Sequence, residues 1–71
     1  MDTITHNERL IVCRAMKMYG GSFVKALGVA LMHADEENKN IICRGWQAKY
    51  PAYFPSGRNY EIAEKAARAE L

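Results

Sequence analysis

Two adjacent glycines, Gly20 and Gly21, divide a helical pattern into two short segments, and a chain of short helices must bury its core by packing them side by side. Before the break, Thr5 and Glu8 stand at the spacing of a capping box, in which each side chain satisfies the other residue's free backbone N–H. Ile11, Val12, Ala15, Met16, Met18 and Tyr19 then fall on one side of a 3.6-residue wheel, and Arg9, Cys13, Arg14 and Lys17 on the other. Glycine at the end of this helix fits a left-handed terminal residue. After the break Ser22 suits an N-cap, and Phe23, Ala26, Leu27, Ala30, Leu31 and Ala34 form a core stripe. The opposite face of this second helix holds Lys25 but also Gly28, Val29 and Met32. Apolar residues on both faces predict a sandwiched helix or a surface for a partner, with Val29 and Met32 as its anchors.

A third helix is expected from Asp35. Its carboxylate can cap, and Glu36 and Glu37 sit in the first turn, where the helix dipole favours anions. Ile42, Trp46 and Tyr50 share a face; Gly45 weakens the helix, and Pro51 stops it near Tyr50. Residues 50–59 read as a loop or a single turn started by Pro51, with Pro55, Ser56 and Gly57 reversing the chain. Asn59 caps a last helix from Tyr60 to about Ala69, with Glu61–Lys65 and Glu64–Arg68 at i, i+4. Its apolar side, Ile62, Ala63, Ala66 and Ala69, is small, so weak packing and a frayed end are expected, as is a flexible segment 1–4. No alternation of period two marks a strand. The expected fold is all-α, one domain over residues 1–71, a compact bundle of three to four short helices.

The chain has 71 residues and carries a net charge of +2, too little to argue for nucleic acid by itself. Its distribution says more. Lys39, Arg44, Lys49 and Arg58 fall in residues 38–60 with no acid among them, and every Asp and Glu lies in the flanks. Five of the seven aromatics, Trp46, Tyr50, Tyr53, Phe54 and Tyr60, share that segment. Cys13 and Cys43 are far apart in apolar surroundings and read as reduced, buried thiols, although a disulfide between two helices stays open. The start of the chain is polar and carries no signal-peptide pattern, and the apolar stretch 26–34 is too short to span a bilayer. A cytoplasmic protein without membrane attachment is expected.

Candidate chemistries fare poorly. His6, His33, Cys13 and Cys43 have no zinc spacing, so neither a metal nor any other cofactor is expected. Cys43 near Lys39 and Arg44 could have a lowered pKa, but catalysis with His33 would need a third, orienting group. Glu36 and Glu37 are neighbours that point apart. Gly20-Gly21-Ser22 could offer backbone N–H groups to an anion but lacks the lysine and spacing of a P-loop. A helix-turn-helix around Val24, Gly28 and Val29 is weak, because helix continues where the turn should be. No catalytic residue is assigned. What remains is surface: Trp46, Tyr50, Tyr53, Arg44, Lys49 and Arg58 as a basic-aromatic segment, with Val29 and Met32 on helix two. Basic residues among aromatics can hold phosphates and stack bases; the simpler reading makes Trp46, Tyr50 and Phe54 large core residues with solvated charges between them, and leaves Tyr53 and Arg58 open between core and interface.

The run Tyr19-Gly20-Gly21-Ser22-Phe23-Val24-Lys25-Ala26-Leu27-Gly28, followed by Ala34-Asp35, Asn38 and Tyr50-Pro51-Ala52-Tyr53-Phe54, resembles a group of short bacteriophage and prophage proteins over about residues 9–54. The resemblance implies an accessory protein that binds and modulates host or phage machinery in the host cytoplasm. Together these readings lead to an expectation of a non-enzymatic module acting by protein–protein contact, with a homodimer through helix two as the simplest cover for Val29 and Met32. The alternative is a small nucleic-acid binder using the segment 38–60.

Overall fold

A computed structural model describes residues 4–69 as four α-helices and one 3₁₀ turn: α1 (His6–Tyr19), α2 (Ser22–His33), α3 (Glu36–Trp46), the turn Pro51–Tyr53 and α4 (Arg58–Ala69). No strand occurs among the described residues, so the all-α bundle expected from the sequence is the fold. The capping box forms: Thr5 Oγ1 accepts from the Glu8 N–H at 3.1 Å, and the Thr5 N–H donates to Glu8 Oε1 at 2.8 Å. Asp35 caps α3 by accepting from the Asn38 N–H at 2.8 Å.

The helices alternate in direction. Arg9 Nη1 donates to the Ala34 carbonyl at 2.7 Å, which sets the α2–α3 link beside the start of α1. The Phe23 and Trp46 rings meet, so the start of α2 lies beside the end of α3. Asn7, Leu10 and Ile11 line an open cleft with Glu64, Ala67 and Arg68, so α4 runs antiparallel to α1. One end of the bundle therefore gathers the end of α1, the start of α2, the end of α3, the 3₁₀ turn and the start of α4. The other gathers the start of α1, the α2–α3 link and the end of α4.

The core is Ile4, Val12, Cys13, Met16, Val24, Leu27, Leu31, Cys43, Phe54 and Tyr60. Three expectations about faces fail here for one reason. α1 lies between α2 and α4 and buries Val12, Cys13, Ala15 and Met16, so its buried stripe is rotated toward Cys13 and leaves Met18 and Tyr19 exposed. α2 buries Val24, Leu27, Gly28 and Leu31, while Phe23, Ala26 and Ala30 stand outside. Gly28 is buried because α1 crosses it: a Cβ there would stand 3.0 Å from Met16 Cβ. α4 buries Tyr60 and Ala63 against the core, a firmer seat than its alanines suggested, because small side chains let the helix approach closely.

Boundaries also moved. Gly21 rather than Ser22 occupies the N-cap of α2 and makes no side-chain cap, α3 ends at Trp46 rather than near Tyr50, and α4 starts at Arg58, ahead of Asn59. Gly20 is extended at φ −82°, not left-handed; it is needed for room, because a Cβ would fall 2.5 Å from both the Met16 carbonyl oxygen and Val24 Cγ1. The positive φ in the last turn belongs to Ser56, at 76°. Of the segment expected to be flexible, residues 1–3 lie outside the described residues, as do residues 70–71 beyond the helix end expected to fray. Ile4 is buried and fixed: the Lys39 ammonium donates to its carbonyl oxygen at 2.6 Å. Lys39 is only 4% exposed and also pairs with Glu36, so it belongs to the interior and not to a basic surface. Its ammonium donates to the Glu36 carboxylate and holds that exposed acid below its usual pKa.

Three substitutions check this packing. Gly45 has open space around its Cβ position, so Gly45→Ala should raise stability by roughly 0.5 kcal/mol in chemical denaturation. Gly28→Ala should lower it, because Met16 Cβ cannot swing away. Lys39→Met keeps an apolar stem but leaves the Ile4 carbonyl without its donor, and should cost about 1–3 kcal/mol.

Candidate functional site

Phe23, Trp46, Tyr50 and Tyr53 form one cluster at the first of these ends. The Phe23 ring meets Trp46 edge-on at 5.2 Å between centroids, Trp46 stacks on Tyr50 at 5.9 Å, and Tyr50 meets Tyr53 at 6.4 Å. Phe23 also lies 6.3 Å from Tyr50, closing a triangle. Such contacts contribute about 0.5–1.5 kcal/mol each beyond area burial. The Tyr53 hydroxyl donates to the Tyr19 carbonyl oxygen at 3.3 Å, tying the 3₁₀ turn to the end of α1. Trp46, Tyr50 and Tyr53 are half-buried against the core, whereas Phe23 and Tyr19 are 53% and 44% exposed. The cluster is thus both a seam that seats the end of α3 and an aromatic surface open to solvent.

The sequence count of five aromatics survives with a changed membership. Phe54, 1% exposed, and Tyr60, 6% exposed, belong to the core. Tyr19 and Phe23 take their places. Phe23 was legible in principle: it and Trp46 are equidistant in sequence from the Ala34–Asp35 link, so an antiparallel α2–α3 pair brings them opposite one another.

The other candidates are dispersed. Arg44 is exposed in the last turn of α3, two residues from Trp46 and so on the far side of the helix. Lys49 is exposed in the turn that leads to Tyr50, and Arg58 at the start of α4. Val29 and Met32 are 48% and 38% exposed, as expected of a free face, but Val29 lies about 120° around α2 from Phe23. It belongs to a separate surface.

Charge separates along the bundle. Lys17 in the last turn of α1, Lys25 in the first turn of α2, Arg44, Lys49 and Arg58 are all exposed and belong to segments at the aromatic end of the bundle. None takes part in an ion pair among the described residues. Glu61 is the acid nearest this end among those residues. Glu8, Asp35, Glu36 and Glu37 sit at the opposite end.

Cys13 and Cys43 are both buried and free, so the inter-helix disulfide left open by the sequence is not formed. Burial pushes the Cys13 thiol up to about 11, against a smaller downward pull from Arg9 and Lys17, and raises the Cys43 thiol as well. The lowered Cys43 pKa suggested by neighbouring cations is therefore reversed, because the thiol lies inside while Arg44 faces water. Among the described residues no three His, Cys, Asp or Glu side chains gather where they could hold a metal ion. The span proposed for a helix-turn-helix is uninterrupted α2. The cleft between α1 and α4, of about 370 Å³, has an apolar floor, and its charged groups Glu64 and Arg68 pair with each other at 3.3 Å. No described helix is long and apolar enough to cross a membrane.

No protein-family model matches the chain, and neither a curated protein nor a solved structure is found to match it.

The raised thiols carry a signed consequence. Between pH 9, where an exposed thiol ionises, and about 11, the folded protein holds a proton that the unfolded chain has lost. Stability should be full below pH 9 and fall as pH rises through that window. Urea midpoints measured across it should fall less steeply for Cys13→Ala than for the native chain.

Proposed function

We propose that this protein is a non-enzymatic binding module that engages a protein partner through its aromatic end. The observation that carries the reading is the cluster of Phe23, Trp46, Tyr50 and Tyr53, four rings from three separate elements, with Tyr19 beside it and part of its surface left to solvent. Tyrosine, tryptophan and arginine are the residues that most often anchor protein interfaces. A cluster held by ring contacts across α2, α3 and the 3₁₀ turn is preorganised, so a partner meets it with little ordering cost. The likeness to phage accessory proteins suggests a setting, the cytoplasm of an infected host, and the regulation of host or phage machinery as the role.

The nucleic-acid alternative is less well supported than the sequence suggested. Lys39 is withdrawn into the core, and the Trp46 ring is engaged on one side by Tyr50 and at its flank by Phe23. Base stacking requires ring faces open to the base. Homodimerisation through Val29 and Met32 concerns a different surface from the aromatic end and can coexist with it.

Phe23→Ala separates function from folding, since Phe23 is the most exposed ring of the cluster. Its loss should cost about 1 kcal/mol of stability and leave the helical circular dichroism unchanged. A protein retained by the native chain in affinity capture from host cytoplasm should be lost by Phe23→Ala but kept by Val29→Ala. Equal retention by native and Phe23→Ala proteins would remove the aromatic end from the interaction.

A further inference from the structure

We infer that the partner of the aromatic end is an acidic protein segment with apolar anchor side chains. This rests on the reading of that end as a protein-binding surface and adds the chemistry of what it binds.

The first ground is the charge around the rings. Lys17, Lys25, Arg44, Lys49 and Arg58 project from four different elements and the turn between them, yet all lie at one end of the bundle. Glu61 is the nearest acid among the described residues, and none of the five cations has an internal ion pair. By contrast, the interior Lys39 and the exposed Arg68 are each paired with a glutamate. A bundle end with an excess of one sign attracts and orients a partner of the opposite sign, and disfavours one of like sign.

The same excess of positive charge argues against a second copy of this chain docking end to end. A two-fold contact would set the five cations of each copy against those of the other. The rings in turn decide between an acidic peptide and a nucleic acid. The Trp46–Tyr50 stack and the Phe23 contact occupy ring surface that a stacked base would need, whereas leucine, methionine or phenylalanine side chains pack against ring edges as well as faces. The Tyr53 hydroxyl is committed to the Tyr19 carbonyl.

The test uses the full chain and a reporter already in place, since Trp46 is the only tryptophan. Three synthetic peptides share the same spacing of Leu and Phe and differ in the residues between: Asp and Glu, Ser and Gln, or Lys. Titration is followed by Trp46 emission and by amide shifts of residues 19–23 and 46–53, with a thymidine oligonucleotide as a fourth probe. The acidic peptide should bind about tenfold tighter than the neutral one, the combined effect of several solvent-exposed ion pairs, and the advantage should shrink as salt is raised. The lysine peptide should not bind measurably. A combined Arg44→Glu, Lys49→Glu, Arg58→Glu variant alters only exposed side chains without ion pairs, so its fold is not at risk. It should lose the tenfold advantage and bind the neutral peptide as before. Equal affinity for acidic and neutral peptides would overturn the acidic assignment while leaving the aromatic end a protein-binding surface. Tighter binding of the oligonucleotide than of any peptide, or shifts at residues 46–53 that arise from self-association alone, would also overturn it. Binding by none of the three peptides would remove both this inference and the reading beneath it.

Discussion

The close approach of α1 and α2 governs the placement of everything else. Gly20 lets the chain turn without a Cβ between the Met16 carbonyl and Val24, and Gly28 lets α2 lie against Met16 one layer further along. Two helices that approach this closely leave α1 with a second side free, and α4 occupies it through Tyr60 and Ala63. α3 is different. It touches α2 sparingly, and its attachment comes from three places: the buried Cys43, the Lys39 ammonium on the Ile4 carbonyl, and the aromatic seam at its end. The rings therefore contribute to folding as well as to surface, which explains why a chain this small keeps so many of them together.

Much of the fold was legible because its signals are local. A capping box, an aspartate cap followed by two glutamates, a glycine pair and a proline each act within one turn of helix, and each marks a boundary to within a few residues. The faces were less legible because burial is decided by neighbours. A stripe read from a single helix assumes one neighbour, whereas α1 has two, so Cys13 is inside. Tyr19, at the last position of α1, extends beyond the turn where α2 covers it. Gly28 read as part of a second face open to a partner when α1 packs on it, since a residue without a side chain gives no hydrophobic signal.

The candidate site was half legible for the same reason. Trp46, Tyr50 and Tyr53 come from one stretch of sequence, and proximity along the chain found them. Phe23 comes from another helix and required the pairing of α2 with α3. Lys39 shows the converse. Its place in an acid-free stretch made it look like surface, but its long stem carries the ammonium across the bundle to the N-terminal segment, where a carbonyl and Glu36 receive it.

Removing Lys39 from the surface changes the meaning of the charge pattern. In the sequence, four cations form a run, which suggests a track for a phosphate backbone. In three dimensions Arg44, Lys49 and Arg58 are joined instead by Lys17 and Lys25 from outside the run, and the five gather at one end of the bundle rather than along a track. Net charge cannot make this distinction, because Glu8, Asp35, Glu36 and Glu37 at the far end bring the total down to +2. At short range the local field acts, since screening at physiological salt reaches about 8 Å and hides the acidic end from a ligand docking at the aromatic one. The aromatic end is thus more strongly cationic than the composition of the chain suggests, because helix direction brings these residues to one end.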